Sequence, residues 1–183
     1  MELRRTILLA LALALTTAGL VSGARADDRA EIDALYAKLE QALKNKTPEA
    51  TLALETPDFT AQGEGGKTIS GKKLVEQMRQ QNAAVQSIKD VKITVKKAVI
   101  AGKTAKVTTN FSYAVMVEDK DGHMGPKGES HEMALSGELK NDLVKTAAGW
   151  RFKTMNRGTG KMLIDGRPVQ SAPPSQPGKT RKR

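Results

Sequence analysis

The sequence predicts an α+β domain in which three helices come first and an antiparallel sheet follows. Three observations carry this. Residues 105–118 alternate strictly, with Val107, Thr109, Phe111, Tyr113, Val115 and Val117 on one face and Lys106, Thr108, Asn110, Ser112 and Glu118 on the other. A period of 2 over that length describes a long, half-buried strand. Helical stripes are confined to the residues before about 86, and strand-like runs fill the chain after it. Short turns join those runs, which suits antiparallel neighbours rather than alternating βα units.

The chain has 183 residues, enough for one domain with tails. Arg4 and Arg5 precede an apolar run from Thr6 to Leu15, and Ala24-Arg25-Ala26 provides small residues at a cleavage position. This pattern predicts a signal peptide over 1–26 and a mature chain starting near Asp27, periplasmic or secreted. The apolar run is shorter than the ~20 residues of a spanning helix. There is no cysteine, hence no lipid-acceptor residue and no disulfide. The formal charge of +10 falls to +8 once Glu2, Arg4, Arg5 and Arg25 leave. Arg167, Lys179, Arg181, Lys182 and Arg183 supply +5 of that, so the folded part carries only +3. The basic pI is therefore largely a property of the tail, which argues against a nucleic-acid-binding domain.

Asp28 to Lys46 reads as a helix with a capping box at Asp28 and Glu31. Its stripe is Ile32, Leu35, Leu39 and Leu43, with Tyr36 and Ala42 beside it. Thr47 and Pro48 read as N-cap and first residue of a short second helix that ends before Pro57. The glycines between Phe59 and Ile69 predict a small hairpin. They do not form a phosphate-binding loop, because Gly66-Lys67-Thr68 has Ala61 where that motif needs its first glycine. Ser70 caps a third helix over about 71–85, with Leu74, Val75, Met78, Asn82 and Val85 on its inner side.

Strands are then expected over 88–100, 105–118, 131–144 and 150–156, with tight turns at Ala101-Gly102-Lys103 and Ala147-Ala148-Gly149. Asp119 to Glu129 is a polar connection. Its Asp119-x-Asp121-Gly122 lacks the remainder of a calcium loop and reads as a hairpin tip. Residues 158–183 are rich in Gly, Pro, Ser and basic side chains and read as a disordered tail. Val107, Phe111 and Val115 are expected to seal the core, and Phe111→Ala to cost ~3–5 kcal/mol.

An amphipathic first helix, a short second one leading to Pro57-Asp58-Phe59, a Gly-rich hairpin, a third helix and a last strand Gly149-Trp150-Arg151-Phe152 resemble the nuclear-transport-factor-2-like superfamily. The similarity to its exported SnoaL-like and ketosteroid-isomerase-like members spans about Asp28 to Asn156. It implies a cone-shaped curved antiparallel sheet wrapped around three N-terminal helices, an apolar pocket within, and a homodimer through the outer sheet face. Fold by itself does not license an activity.

Side chains expected to line that pocket are Tyr36, Thr109, Tyr113, Trp150, Thr154 and Asn156. Candidates for chemistry are Tyr113, Asp58 at the pocket mouth and His131. A ketosteroid-isomerase-like reaction needs a carboxylate base and an oxyanion hole of a Tyr with a protonated acid. No pair of inward acids appears, since Glu132 and Glu138 fall on the other parity. Two separated histidines without cysteine do not form a zinc site, and no cofactor motif is present. Each candidate also has a plainer role: Asp58 as a turn residue, Tyr113 as a core aromatic, and His131 as a solvent-facing strand start. The functional expectation is an exported domain that binds a small apolar or amphipathic molecule without catalysis. The alternatives are an isomerase, dehydratase or hydrolase on the same scaffold, and a dimeric interaction protein. In that last reading Lys179, Arg181, Lys182 and Arg183 meet an anionic surface.

Overall fold

The structure is a computed structural model that describes residues 26–62 and 67–169. All but the last residue of the expected leader, the glycine tip 63–66 and the basic end 170–183 lie outside the described residues. Helix α1 covers 26–44, α2 is Glu49–Leu52 and α3 is Gly71–Asn82. The strands are β1 Glu55–Gln62, β2 Thr68–Ser70, β3 Val85–Ala101, β4 Thr104–Glu118, β5 Ser130–Thr146, β6 Gly149–Ile164 and β7 Arg167–Pro168. They form one sheet in the order β2-β1-β6-β5-β4-β3, with β7 added to β6. The sheet is curved and unclosed, and it is antiparallel except where β1 runs parallel to β6.

Helix α1 begins earlier than the capping box implied. Asp28 lies within its first turn and binds Lys145 Nζ (2.6 Å) and Trp150 Nε1 (3.1 Å), tying the helix to the β5–β6 turn instead of capping it. Thr47 does not cap α2 either: its hydroxyl donates back to Ala42 O (3.2 Å), and Pro48 holds the cap position. Ser70 caps α3 as expected, accepting from Lys73 N (3.4 Å). That helix stops at Asn82, so Val85 opens β3 and faces the sheet's small second cluster.

The final strand is the largest revision. Residues 158–164, expected within a disordered tail, continue β6 and pair with β5 up to Met133↔Ile164. Glycines make this possible. A Cβ on Gly137 would lie 2.2 Å from Thr159 O, and one on Gly158 would lie 2.7 Å from Glu138 O. The two backbones therefore approach more closely than side chains allow, and a register shift between Gly137 and Leu139 bends the sheet there. Glycine counts that read as disorder in one dimension serve as a bend in three.

The concave face has two separate apolar clusters. One joins α1 (Ile32, Leu35, Tyr36, Leu39) to Ala105, Val107, Leu143, Trp150 and Phe152. The other, at the opposite ends of β4 and β5, contains Val85, Val115 and Val117, with Met124 and Met133 packed against it. Between them Phe111 and Tyr113 are only half-buried, so Val107 and Val115 seal cores as expected and Phe111 does not.

Candidate functional site

Along β4 and β5 the register places Val107 opposite Asn141, Thr109 opposite Leu139, Phe111 opposite Gly137 and Tyr113 opposite Leu135. These pairs share the concave face, and those from Thr109 to Tyr113 form the saddle between the clusters. At its helix-covered edge, Tyr36 from α1 packs edge-on against Phe152, with ring centroids 5.2 Å apart. The Tyr36 hydroxyl accepts from Asn141 Nδ2 at 2.7 Å. Burial pushes the Tyr36 phenol well above its ordinary range, against the opposing effect of the Asn141 bond, so it stays protonated.

Two neighbouring polar atoms lack partners among the described residues. Thr109 is fully buried and its Oγ1 makes no hydrogen bond; Asn141 Oδ1 is buried and unpaired as well. A buried polar group left unpaired costs ~1–3 kcal/mol. Two such groups lie on adjacent inward pairs of β4 and β5, at the border of half-buried apolar surface; the Thr109 hydroxyl is able to donate or accept, and Asn141 Oδ1 to accept. Phe111, Tyr113, Leu135, Leu139 and Met155, all half-buried, supply apolar surface beside them.

The other expected site residues are dispersed. Trp150 is buried against α1 through Asp28, as part of the core. Thr154 and Asn156 do not face inward. Between Asp142↔Thr154 and Leu143↔Phe152 the register skips Lys153, and one extra residue reverses the parity of the residues that follow, until the second shift between Gly137 and Leu139 restores it. Thr154 Oγ1 consequently donates to Asp142 Oδ2 (2.9 Å) on the outer face, where Lys106 also binds Asp142 (2.9 Å). Met155 takes the inward place opposite Asn141. Asp58 is exposed on β1 and pairs with Lys153, which holds its carboxyl below the usual range. It does not rim the saddle, because Phe59 beside it takes the inward position.

His131 is buried rather than solvent-facing. Its Nδ1 lies 2.7 Å from Asp165 Oδ2 in the β6–β7 turn. It stands four residues from Leu135, the partner of Tyr113, a span of ~13 Å along a strand. Asp58, Tyr113 and His131 are therefore not assembled into one catalytic group. Among the described residues no three His, Cys, Asp or Glu side chains form a metal-binding group.

Two residues escaped the sequence reading. Asn141 shares the odd parity of Leu135, Leu139 and Leu143, so alternation alone placed it inward. Glu55 carries no such signal. It borders a shallow groove of about 320 Å³ with Leu52, Pro57, Phe59, Gly71 and Lys72. Burial pushes its carboxyl up to about 7, with the neighbouring Thr51 side chain acting in the opposite direction. A second, more polar groove of about 490 Å³ lies outside α1 against β3. There Glu40 Oε2 accepts from Ile93 N (2.9 Å) and Arg29 donates to Val95 O (3.2 Å), which covers part of the sheet's edge.

Helices laid on one face of a curved, unclosed sheet define the nuclear-transport-factor-2-like class. The SnoaL-like domain family matches residues 24–156, and the chain belongs to it. Solved structures agree in fold. A protein from Novosphingobium aromaticivorans, provisionally titled a scytalone dehydratase, superposes with a TM-score of 0.63 at 13% identity, covering 85% of this chain and 97% of that one. A conserved protein from Planctomyces limnophilus gives 0.60 at 16% identity, over 78% and 98% of the two chains. A ketosteroid isomerase-like protein from Erwinia carotovora atroseptica gives 0.53 at 19% identity, over 69% and 92%. No curated protein matches the sequence.

Proposed function

We propose that this SnoaL-like protein binds a small amphipathic molecule on the concave saddle, with no reaction at Tyr113, Asp58 or His131. The polar end of the ligand bonds to Thr109 Oγ1 and Asn141 Oδ1, and its apolar body rests on Phe111, Tyr113, Leu135 and Leu139. The observation that carries this reading is the pair of buried, unpartnered polar atoms at the edge of half-buried apolar surface. The expected leader 1–26 places the activity in the periplasm or outside the cell, and Asp27 is then the first residue of the purified mature protein. N-terminal sequencing checks this. A homodimer through the outer face and contact of Lys179, Arg181, Lys182 and Arg183 with an anionic surface belong to the same proposal. Sedimentation of the full chain and of a 1–169 truncation, with and without anionic vesicles, checks both.

Phenols, ketosteroids, fatty acids and the dye anilinonaphthalene sulfonate are suitable probes, followed by thermal shift and by fluorescence of Trp150, the only tryptophan. Thr109→Val is the sharpest variant. It replaces an unpartnered hydroxyl with a methyl group, so the free protein becomes about 1 kcal/mol more stable. Affinity for the best probe falls about 2–10-fold, the value of one hydrogen bond. Unchanged affinity in Thr109→Val and Asn141→Leu would remove the polar anchor from the proposal, and no binding by any probe would remove the saddle.

A further inference from the structure

The sheet ends at β3, and no strand pairs with its outer edge among the described residues. β3 is 17 residues long, whereas β2 at the other end of the sheet has 3. Register shifts between Ile88 and Asp90 and between Val95 and Lys97 bracket a regular stretch over 90–95. Side chains of α1 reach this stretch. Glu40 Oε2 accepts from Ile93 N (2.9 Å), and Arg29 Nη2 donates to Val95 O (3.2 Å). Ile93 and Val95 are two residues apart, and in an antiparallel ladder the N–H and C=O of one residue point the same way. The two side chains therefore supply an acceptor and a donor where a neighbouring strand would place a carbonyl and an amide. Ile93 O and Val95 N are presented on the same edge.

Space for a strand is present. The groove of about 490 Å³ is bordered by Asp33, Tyr36 and Ala37 of α1 and by Ile93, Thr94 and Val95 of β3. That volume falls within the ~300–1,000 Å³ of ligand clefts. The two side chains on the edge keep other partners when they leave it: Glu40 binds Lys44 (2.6 Å) and Arg29 binds Asp33 (3.0 Å). Their exchange for a backbone carbonyl and amide swaps bond for bond and strands no charge.

The flanking charges define which segment fits. β3 has four exposed lysines, Lys89, Lys92, Lys96 and Lys97, and one acid, Asp90, which accepts from Ser112 Oγ (2.8 Å). Only Lys96 of the four has an ion-pair partner among the described residues, Glu138. Lys92 also acts at the edge itself. The Glu40 carboxyl is held below its ordinary range by its bond to Lys44 first, then by the Ile93 N–H and the charges of Lys44 and Lys92, against burial. Lys92 and Lys97 pair with Ser112 and Thr108 on the convex side, while Ile93 and Val95 turn inward to the core cluster. A strand added here alternates in the same way, one set of side chains beside the two lysines and the other beside Ile93 and Val95. A second copy of β3 would set lysine against lysine, which like-charge repulsion opposes.

We propose that the outer edge of β3 docks an extended segment of a partner protein in which acidic and apolar residues alternate, with Arg29 and Glu40 holding its place in the free protein. The segment's carbonyl takes Ile93 N, its amide takes Val95 O, and its acids lie beside Lys92 and Lys97. Main-chain bonds then supply affinity, and the alternating side chains supply specificity. The site is separate from the concave saddle, and neither depends on the other.

The probe is a labelled eight-residue peptide of alternating valine and glutamate, titrated into the full chain and followed by fluorescence anisotropy. A peptide with lysine in place of glutamate is the control. The glutamate peptide should bind, the lysine peptide should not, and binding should slow exchange of the Val95 amide as read by NMR. Lys92→Glu with Lys97→Glu should weaken binding about tenfold through the loss of two opposite-charge cross-strand pairs. Arg29→Ala with Glu40→Ala frees the edge and should tighten binding about 2–10-fold. Equal binding of the two peptides overturns the acidic partner, and binding without added protection of Val95 overturns the edge. No binding to the native chain or to the Arg29→Ala/Glu40→Ala variant overturns the proposal altogether. Dimerisation of that variant without peptide, with Val95 protected, assigns the edge to a second copy instead and overturns the acidic segment.

Discussion

The two ends of the concave face are held in different ways. At the helix end, Ile32, Leu35, Tyr36 and Leu39 interlock with Val107, Leu143 and Phe152, and burial of large apolar side chains does the work. At the loop end, three valines make a small cluster with Ile88, Tyr113, Met124 and Met133 packed against it, Asp119 orders the 119–129 connection, and His131 binds Asp165 in the β6–β7 turn. The difference shows which end depends on charge. Apolar packing does not depend on charge, whereas a turn ordered by a carboxylate loses its bonds when that carboxylate is protonated. The saddle between the two ends has one apolar wall and one wall ordered by polar bonds.

The sharpest way to break this comparison is to hollow the apolar wall. Phe152→Ala should cost about 3–5 kcal/mol in urea unfolding, since the ring is fully buried and touches Tyr36. Phe111→Ala, in the half-buried saddle, should cost about 1–2 kcal/mol, in proportion to its smaller burial. Equal losses would mean that Phe111 belongs to a continuous core and that the saddle does not exist.

Glu55 tests the flank of the helix end. Its folded pKa of about 7 exceeds the unfolded one, so the folded state holds the extra proton and stability falls as pH rises from about 4.5 to 7. Glu55→Gln should remove that slope and add about 1–2 kcal/mol at pH 8, a figure reduced for screening of a half-exposed group. Equilibrium unfolding at pH 5 and pH 8 provides the comparison.

The smallest global effect is expected at the loop end. Burial works against ionisation of Asp119, but four backbone donors outweigh it and hold its pKa at about 2. Its contribution is therefore present above the ordinary aspartate value and lost only as the pH falls through about 2. Asp119→Ala should abolish protection of the Gly122–Gly125 amides while leaving the main unfolding transition nearly unmoved. A large shift in that transition would show that the loop end is part of the global core.

Much of this architecture was legible in residue order. The alternation of 105–118 fixed the inward face of β4, the stripe on 32–39 fixed the buried face of α1, and Ser70 marked the start of α3. These features depend on periodicity within one segment, which the sequence displays directly. Thr109 was legible as an inward polar residue for the same reason, and Asn141 would have been by the parity of its neighbours.

What the sequence could not determine depends on pairs of segments. The skipped Lys153 that sends Thr154 and Asn156 outward is a register event between β5 and β6, and one extra residue looks the same as none until the partner strand is present. The glycines of 158–160 read as tail because their use, close passage against Gly137, exists only between two backbones. Burial of His131 needed Gly125 and Asp165, respectively 6 residues before it and 34 after it, to meet at one ring. Local periodicity decided the faces of this protein, and long-range contacts decided which side chains on them lack a partner.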